Sequence, residues 1–413
     1  MPDDVVSSRS AGGAHVSPAQ GTTGSWMLGA LDWLLRRHGI GRLRLTLPSG
    51  ATGLVGTPDG SVEAQIALRS YGVLWKLARR GALGFAESYM DGDFDTNDLR
   101  KVFECYLANE AAITQATPRL NDARTGDRRY HELRRNTPAG SRRNIADHYD
   151  LGNAFYRLWL DPSMLYSSGI YERGDATLEA AQQAKLSRIL AALDLTDGRS
   201  LLEIGCGWGA LAEAAARQGA QVRAITISEQ QLLEAARRIG ACGLADSIEV
   251  RFEDYRDTTG TFDRLVSIEM IEAVGEDNWP LFFGTIADRL NPGGLAVVQA
   301  ITIGESNFAQ YRENPDFIQR YIFPGGMLPT VELMRTRAGE AGLSFETVQQ
   351  FGPSYALTLA EWRRRFEAAW PEIKALGFDE RFRRMWLYYL IYCEVGFERG
   401  LIDVGLYRLK KPA

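Results

Sequence analysis

The sequence is poor in the residues from which metal centres and disulfide frameworks are built. Its 413 residues include only four cysteines (Cys105, Cys206, Cys242 and Cys393) and four histidines. Neither set shows the paired spacing of a zinc site. No disulfide framework is suggested, so a reducing cytoplasm is the expected compartment. Excess positive charge is missing too: the formal net charge is −5, whereas a general nucleic-acid binder is basic overall. The longest apolar run, Met385 to Cys393, is far shorter than the roughly 20 residues that cross a bilayer. The chain is therefore expected to be soluble, or to lie on a membrane without crossing it. The N-terminus starts acidic and lacks an apolar core, which argues against a signal peptide. Small and polar residues dominate it, and residues 1–25 are expected to be a disordered tail.

What is present divides the rest of the chain into three parts. Residues 26–118 alternate amphipathic helix patterns (Trp26–His38, Leu99–Ala112) with short strand-like pieces (Leu43–Leu47, Ala64–Leu68), which predicts a small α+β domain. Residues 119–144 carry eight arginines, Arg119, Arg124, Arg128, Arg129, Arg134, Arg135, Arg142 and Arg143. Two readings stand for this basic segment: a solvated linker, or a strip that meets anionic headgroups. From residue 145 to 413 short apolar runs (Leu201–Ile204, Val222–Thr226, Ile248–Phe252, Phe262–Ile268, Leu295–Ile301) alternate with helical patterns. That alternation predicts an α/β domain with a doubly wound parallel sheet, Rossmann-like. Two more strands are expected at Glu346–Phe351 and Val404–Lys410, and aromatic-rich insertions at 303–330 and 360–400 are placed to cap the sheet's ligand-binding edge.

The stretch Leu201-Leu-Glu-Ile-Gly-Cys-Gly-Trp-Gly-Ala210 ends the first of these strands and opens a helix. Gly205, Gly207 and Gly209 allow a left-handed backbone and a close approach to a ligand. Their spacing is not the G-x-G-x-x-G of dinucleotide folds. Glu203 precedes them, and a carboxylate there repels phosphate but suits a cationic ligand. S-adenosylmethionine, with its ammonium and sulfonium, is the ligand this loop predicts.

Further segments carry a resemblance. They are His148-Tyr-Asp-Leu-Gly-Asn-Ala-Phe-Tyr156, Leu165-Tyr-Ser-Ser-Gly-Ile-Tyr171, Ile225-Thr-Ile-Ser228, Ser267-Ile-Glu-Met-Ile-Glu-Ala-Val-Gly275, Tyr321-Ile-Phe-Pro-Gly-Gly326 and Cys393-Glu394. In order and spacing they resemble the cyclopropane-fatty-acid synthases, including the mycolic-acid cyclopropane synthases, and Gly84-Phe-Ala-Glu-Ser-Tyr-Met-Asp-Gly92 extends the likeness into the small domain. The resemblance implies a class I methyltransferase that methylates the cis double bond of an acyl chain in a membrane phospholipid, most simply giving a cyclopropane. It implies cofactor contacts from Tyr166, Ser167, Glu203, Gly205, Cys206, Gly207, Gly209, Thr226, Ser228, Gln231, Asp254 and Tyr255. Tyr255 could also be mere core, but Glu253-Asp254-Tyr255 ends a strand, which favours contact. The small domain is expected to bind lipid or to support a homodimer, and the enzyme to sit peripherally at the inner membrane face.

An alkene is a weak nucleophile, so the reaction demands in-line positioning and a dry cavity around the resulting carbocation. Proton loss from the new methyl group closes the ring; a different proton loss leaves a branched chain. In the family the base is a bound bicarbonate. Carried over, its holders are Glu272, Tyr355, Ile301, Ser168 (for a cysteine) and Gln299 (for a histidine), with Ala273 replacing another histidine. Gln299 donates through its amide but never becomes cationic, which leaves bicarbonate open and makes Glu272 or Glu269 a candidate base in its own right. Cys393 is expected to pack in the substrate pocket rather than act as nucleophile, Glu394 to support the site from outside, and His148 to be a cap or core residue as readily as a catalytic one. Methylation of a soluble small molecule and a catalytically degenerate lipid-binding protein are the competing classes.

Overall fold

The computed structural model describes residues 22–57, 64–116, 127, 129–130, 133–134, 136–137, 140–141, 144, 151–173 and 176–413. His148 and most of the arginines of the basic segment lie outside these residues, as does the expected tail up to residue 21.

The small domain is built on a four-stranded sheet of order β2-β1-β3-β4, with β1 at Leu43–Thr46, β2 at Thr52–Val55, β3 at Ala64–Leu68 and β4 at Phe94–Asp95. Helix α1 (Thr22–Arg37) begins before the predicted tail ends. It turns Met27, Leu28, Leu31 and Leu35 onto a core of Leu45, Leu47, Val55, Leu68 and Phe94. Its opposite face, Trp26, Gly29, Ala30, Trp33, Leu34 and Arg37, is exposed. Helix α2 (Gly72–Met90) went unpredicted because Gly72, Gly81 and Gly84 interrupt its pattern. The chain breaks helical geometry at Gly81, φ 56°. The helix α3 (Leu99–Ala108) starts on an Asp98 side chain that caps the amide of Lys101.

The large domain holds a seven-stranded sheet of order β10-β11-β9-β8-β5-β6-β7. Its strands are β5 (Ser200–Ile204), β6 (Gln221–Thr226), β7 (Ile248–Phe252), β8 (Phe262–Ile268), β9 (Leu290–Ile303), β10 (Ser344–Gln350) and β11 (Ile402–Lys410). Strands β5 to β9 pair in parallel, whereas β11 runs antiparallel to both neighbours. The predicted doubly wound sheet is thus present with one reversed strand, which a short return from the preceding helix allows. The insertion at 360–400 is a helical layer formed mainly by α4 (Gly352–Ala368) and α5 (Glu380–Glu398). This layer packs on the small domain: Phe103 of α3 meets the ring of Tyr388 edge-on at 5.0 Å. Arg384 also reaches the carbonyls of Tyr89 and Phe94. Among the described residues no helix is long and apolar enough to cross a membrane.

Candidate active site

The carboxyl ends of β5, β6 and β8 open onto a cavity of about 1180 Å³. At one end, the amides of Gly205 and Cys206 both donate to the Ile225 carbonyl at 3.0 Å, which draws the loop across β6. Gly207 has φ 53°, and a Cβ there would point into open space. A side chain at this point would therefore intrude on a ligand rather than on the protein. The Trp208 indole is held by Asn153 at 2.8 Å, which gives the Leu-Gly-Asn block its local purpose. Thr226 donates to the Gln231 amide oxygen at 2.9 Å and accepts from the Ser228 amide at 3.1 Å. Burial pushes the Glu203 carboxyl up to about 8, and its Oε2 has no hydrogen-bond partner. The Tyr255 hydroxyl is likewise buried and unpartnered, and both residues line the cavity. Unpaired buried polar atoms are costly. Here they flank open space beside a bare backbone turn, and S-adenosylmethionine, with its ammonium, sulfonium and hydroxyl groups, fits that arrangement.

The next section of the cavity is the reaction end. Glu269 directly follows β8 with φ 49°, a left-handed conformation that costs a non-glycine residue about 1–2 kcal/mol. Its Oε1 accepts from the Ser168 amide at 3.0 Å and the Gln299 side-chain amide at 2.6 Å, and its Oε2 accepts from the Tyr355 hydroxyl at 2.7 Å. Enclosure raises the Glu269 carboxyl above its ordinary range, while nearby Lys185 and these donors pull it down. Glu272 accepts from the Ile301 amide, at 2.6 Å, through Oε1. Its Oε2 has no partner, and burial together with the Glu269 charge pushes it up to about 8. The two carboxyls titrate as a coupled pair, and the better-partnered Glu269 ionises first.

The site differs from the expected bicarbonate cradle. The Ser168 amide, the Gln299 amide and the Tyr355 hydroxyl are already taken by a carboxylate, and Ile301 contributes its N–H to Glu272. Ser168 and Gln299 stand behind Glu269, fully buried, rather than on the cavity wall. A second anion would meet negative charge instead of free donors, so these residues do not fit bicarbonate.

Sequence reasoning missed Lys185, which is fully buried, donates to Ser167 Oγ at 2.6 Å and lines the cavity. The signal was present: it occupies a core position in the apolar series Leu178, Ala181, Leu186, Ile189 of one helix. Burial lowers its ammonium to about 8 although Glu269 and Asp161 favour the charge. Other assignments shift as well. Gly209 and Ser228 do not line the cavity; Ser228 caps the following helix through the Gln231 amide, and Gly209 lets that helix approach, a Cβ there meeting Ala235 at 3.2 Å. Asp254 lines the cavity with its carboxylate engaged by Arg256 at 2.6 Å. Cys206 and Cys393 line it as thiols that burial holds protonated, which suits packing and not nucleophilic attack. Glu394 is buried outside the lining, bonded to Arg100 and Arg363 at 3.0 and 3.1 Å, and so ties the small domain to the helical layer.

Beyond the carboxylates the wall turns apolar and aromatic. Tyr166 shares a hydroxyl contact of 3.0 Å with Tyr389 and packs within 5.5 Å of the rings of Tyr156, Trp159 and Trp362. A single π-helical turn, Ile318–Ile322, borders the channel, and its Tyr321 hydroxyl donates to Glu87 of α2. Such turns concentrate at functional sites. Leu34, Leu35, Leu77, Leu83, Phe85 and Val102 carry the channel into the small domain. Asn136, Ser141 and Asn144, within the segment expected as a linker, are buried in the cavity's wall. Asn136 donates to the Gly325 carbonyl at 2.7 Å. A Cβ at Gly325 would collide with the Arg134 carbonyl at 2.4 Å, which accounts for the glycine in that block.

Comparison with known proteins agrees with this geometry. The family described as mycolic acid cyclopropane synthetase matches residues 137–406. Tuberculostearic acid methyltransferase UfaA1 of Mycobacterium tuberculosis is 36% identical over 88% of this chain and 86% of its own. The cyclopropane-fatty-acyl-phospholipid synthase of Escherichia coli K12 is 36% identical over 85% of this chain and 88% of its own. Among solved structures, mycolic acid cyclopropane synthase CmaA1 complexed with SAH and CTAB superposes with a TM-score of 0.61 at 31% identity, over 65% of this chain and 98% of that one.

Proposed function

Because the chain belongs to the mycolic acid cyclopropane synthetase family and is an S-adenosylmethionine-dependent methyltransferase, we propose that it methylates the cis double bond of an unsaturated fatty-acyl chain carried by a phospholipid. The leading product is a cyclopropane. The observation that carries this reading is the continuity of the cavity, from the glycine loop past Glu269 and Glu272 into an apolar channel that ends in the small domain. A short polar pocket, as a soluble substrate requires, is not what these residues enclose.

Bound at the glycine loop, S-adenosylmethionine supplies an electrophilic methyl group on a positively charged sulfur. The protein's residues do the rest. Glu203 and Tyr255, whose buried oxygens are unpartnered, would hold that ligand, and Gly207 would leave it room. The apolar and aromatic wall beyond the carboxylates confines the acyl chain and holds the alkene in line, which accounts for much of the rate in a reaction of poor nucleophiles. The aromatic wall excludes water that would quench the cation and offers π faces to the positive carbon. A carboxylate of the Glu269–Glu272 pair accepts the proton.

A second reading, a methylene- or methyl-branched product, is favoured by Gln299 standing where the family carries a histidine and by the likeness to a relative named as a methyltransferase. Incubation with monounsaturated phospholipid and S-adenosylmethionine, followed by proton NMR of the acyl chains, separates the outcomes. Ring and methylene products have equal mass, but only the methylene keeps olefinic protons. Recovery of unaltered chains with every lipid tried would sink the reading.

The membrane surface is part of the proposal, at the inner face of a cytoplasmic membrane. Arg128, Arg135, Arg142 and Arg143 of the basic segment fall outside the described residues, and Arg134 donates to Asn144 Oδ1 at 3.3 Å. The exposed face of the small domain is better suited. Trp26, Trp33 and Trp75 are 61%, 60% and 61% exposed, and Arg37 and Arg79 lie over the rings of Trp33 and Trp75 at 5.2 and 5.1 Å. Amphipathic rings next to cationic groups settle at headgroup level on anionic bilayers. Leu34 and Leu77 of the same two helices line the channel, so the face lies beside a way in. W33A/W75A should release the protein from anionic vesicles in sedimentation, and undiminished binding would contradict this placement.

A further inference from the structure

The misfit with bicarbonate carries a positive conclusion. We propose that Glu269 is the enzyme's own general base: its carboxylate occupies the donors an external anion would need and takes the proton released from the transferred methyl group. The inference rests on the methyl-transfer reading above and deepens it.

Three independent features converge on this residue. Its donors come from distant parts of the chain, Ser168, Gln299 and Tyr355, and leave it facing the cavity. Its backbone is held at φ 49°, a conformation that persists in a non-glycine residue only where the surroundings over-determine it, and which clusters at functional sites. Its charge is balanced by Lys185, whose ammonium is locked onto Ser167 beside the Ser168 donor. Glu272 lacks these supports. With no side-chain donor and a carboxyl pushed up to about 8, it holds its own proton near pH 7 and is the poorer acceptor of another. It serves as the acid beside the base, a positioning residue that keeps Ile301 and β9 in register with the channel.

The step balances without an outside co-reactant. The alkene π pair forms the bond to the methyl carbon, and the pair of the broken sulfur–methyl bond stays on sulfur. The neighbouring carbon is left positive. One C–H bond of the new methyl group gives its proton to Glu269, and its electron pair closes onto the positive carbon as the third ring bond. If a hydride first moves from the methyl-bearing carbon to the positive carbon, the same proton loss forms an exocyclic double bond. Glu269 therefore serves either product.

The test uses the full-length enzyme with monounsaturated phospholipid vesicles, in carbon-dioxide-stripped buffer and in buffer with added bicarbonate. Wild-type turnover should be equal in the two. E269Q should lose about 10²–10⁴-fold in turnover while calorimetry shows S-adenosylmethionine binding unchanged, and bicarbonate should not restore it because the amide still fills the place. E269G relaxes the left-handed backbone and frees the three donors, so added bicarbonate or formate should recover activity roughly tenfold or more. A wild-type rate that collapses without bicarbonate, near-wild-type turnover in either variant, or an E269G enzyme that binds cofactor yet is not rescued would each overturn the assignment. Absence of product from the wild type in both buffers would instead remove the methyl-transfer reading on which it stands.

Discussion

Two carboxyls face the same cavity and are treated in opposite ways. Glu203, at the end of β5, is buried with one oxygen unpartnered. Glu269, at the end of β8, has both oxygens bonded by side chains and backbone from three other segments. Burial raises both. The difference teaches what each end awaits: an unfilled hydrogen bond is a place for a ligand, whereas a fully bonded carboxylate of fixed direction is a tool already set.

The comparison breaks first at its kinetic end. E269Q should remove nearly all turnover, about 10²–10⁴-fold, with cofactor affinity intact, and E203Q should do the reverse. In the latter, a charge-assisted hydrogen bond worth about 1.5–3 kcal/mol is lost, so the dissociation constant for S-adenosylmethionine should rise roughly 10- to 150-fold with a smaller change in turnover once the site is saturated. Equal effects on binding and turnover in both variants would erase the distinction. A cation at Glu203 favours its ionised form, whereas burial holds that carboxyl at about 8. Wild-type affinity should therefore climb with pH and level off near 8, with proton release visible as a buffer-dependent enthalpy, and E203Q should flatten the climb.

Lys185 sharpens the other end. Removing its charge in K185M takes away a group that favours the ionised form of Glu269. The acidic limb of the pH profile of kcat/KM should move to higher pH, with a drop of roughly tenfold near neutrality; a uniform loss at every pH would mark Lys185 as packing alone. The smallest effect is on stability. Glu203 and Glu272 carry folded-state values of about 8 against an ordinary 4.5, so between these limits the folded state holds more protons than the unfolded one. Stability of the ligand-free enzyme should thus be greatest at the acidic end and fall as pH rises through 8, and E272Q should shallow the slope. Thermal melts at pH 5, 6, 7 and 8 in the absence of cofactor would read it.

The two ends also differed in how far the sequence disclosed them. The glycine loop is local: strand, turn and helix follow one another between Ser200 and Ala216, and the run of Gly205, Gly207 and Gly209 beside Glu203 is readable as a string. Strands β3, β7 and β8 were placed to the residue for the same reason, a clean apolar run between turn signals. The reaction end is not local. Glu269 was readable as one of two candidate bases but not as the bonded one, because its donors lie at residues 168, 299 and 355 and meet only when β8, β9 and α4 are assembled. That Ile301 offers its amide to Glu272 is likewise a matter of which edge of a strand faces that carboxyl. Helix α2 was hidden by its own glycines, and the channel into the small domain by the separation of its walls along the chain.

The left-handed backbone at Glu269 is a position that glycine occupies without strain, and the codons for glycine and glutamate differ by a single nucleotide. With Glu269 as the proposed base, a site that owns its base and a glycine-bearing one that borrows a dissolved anion would thus lie one mutational step apart.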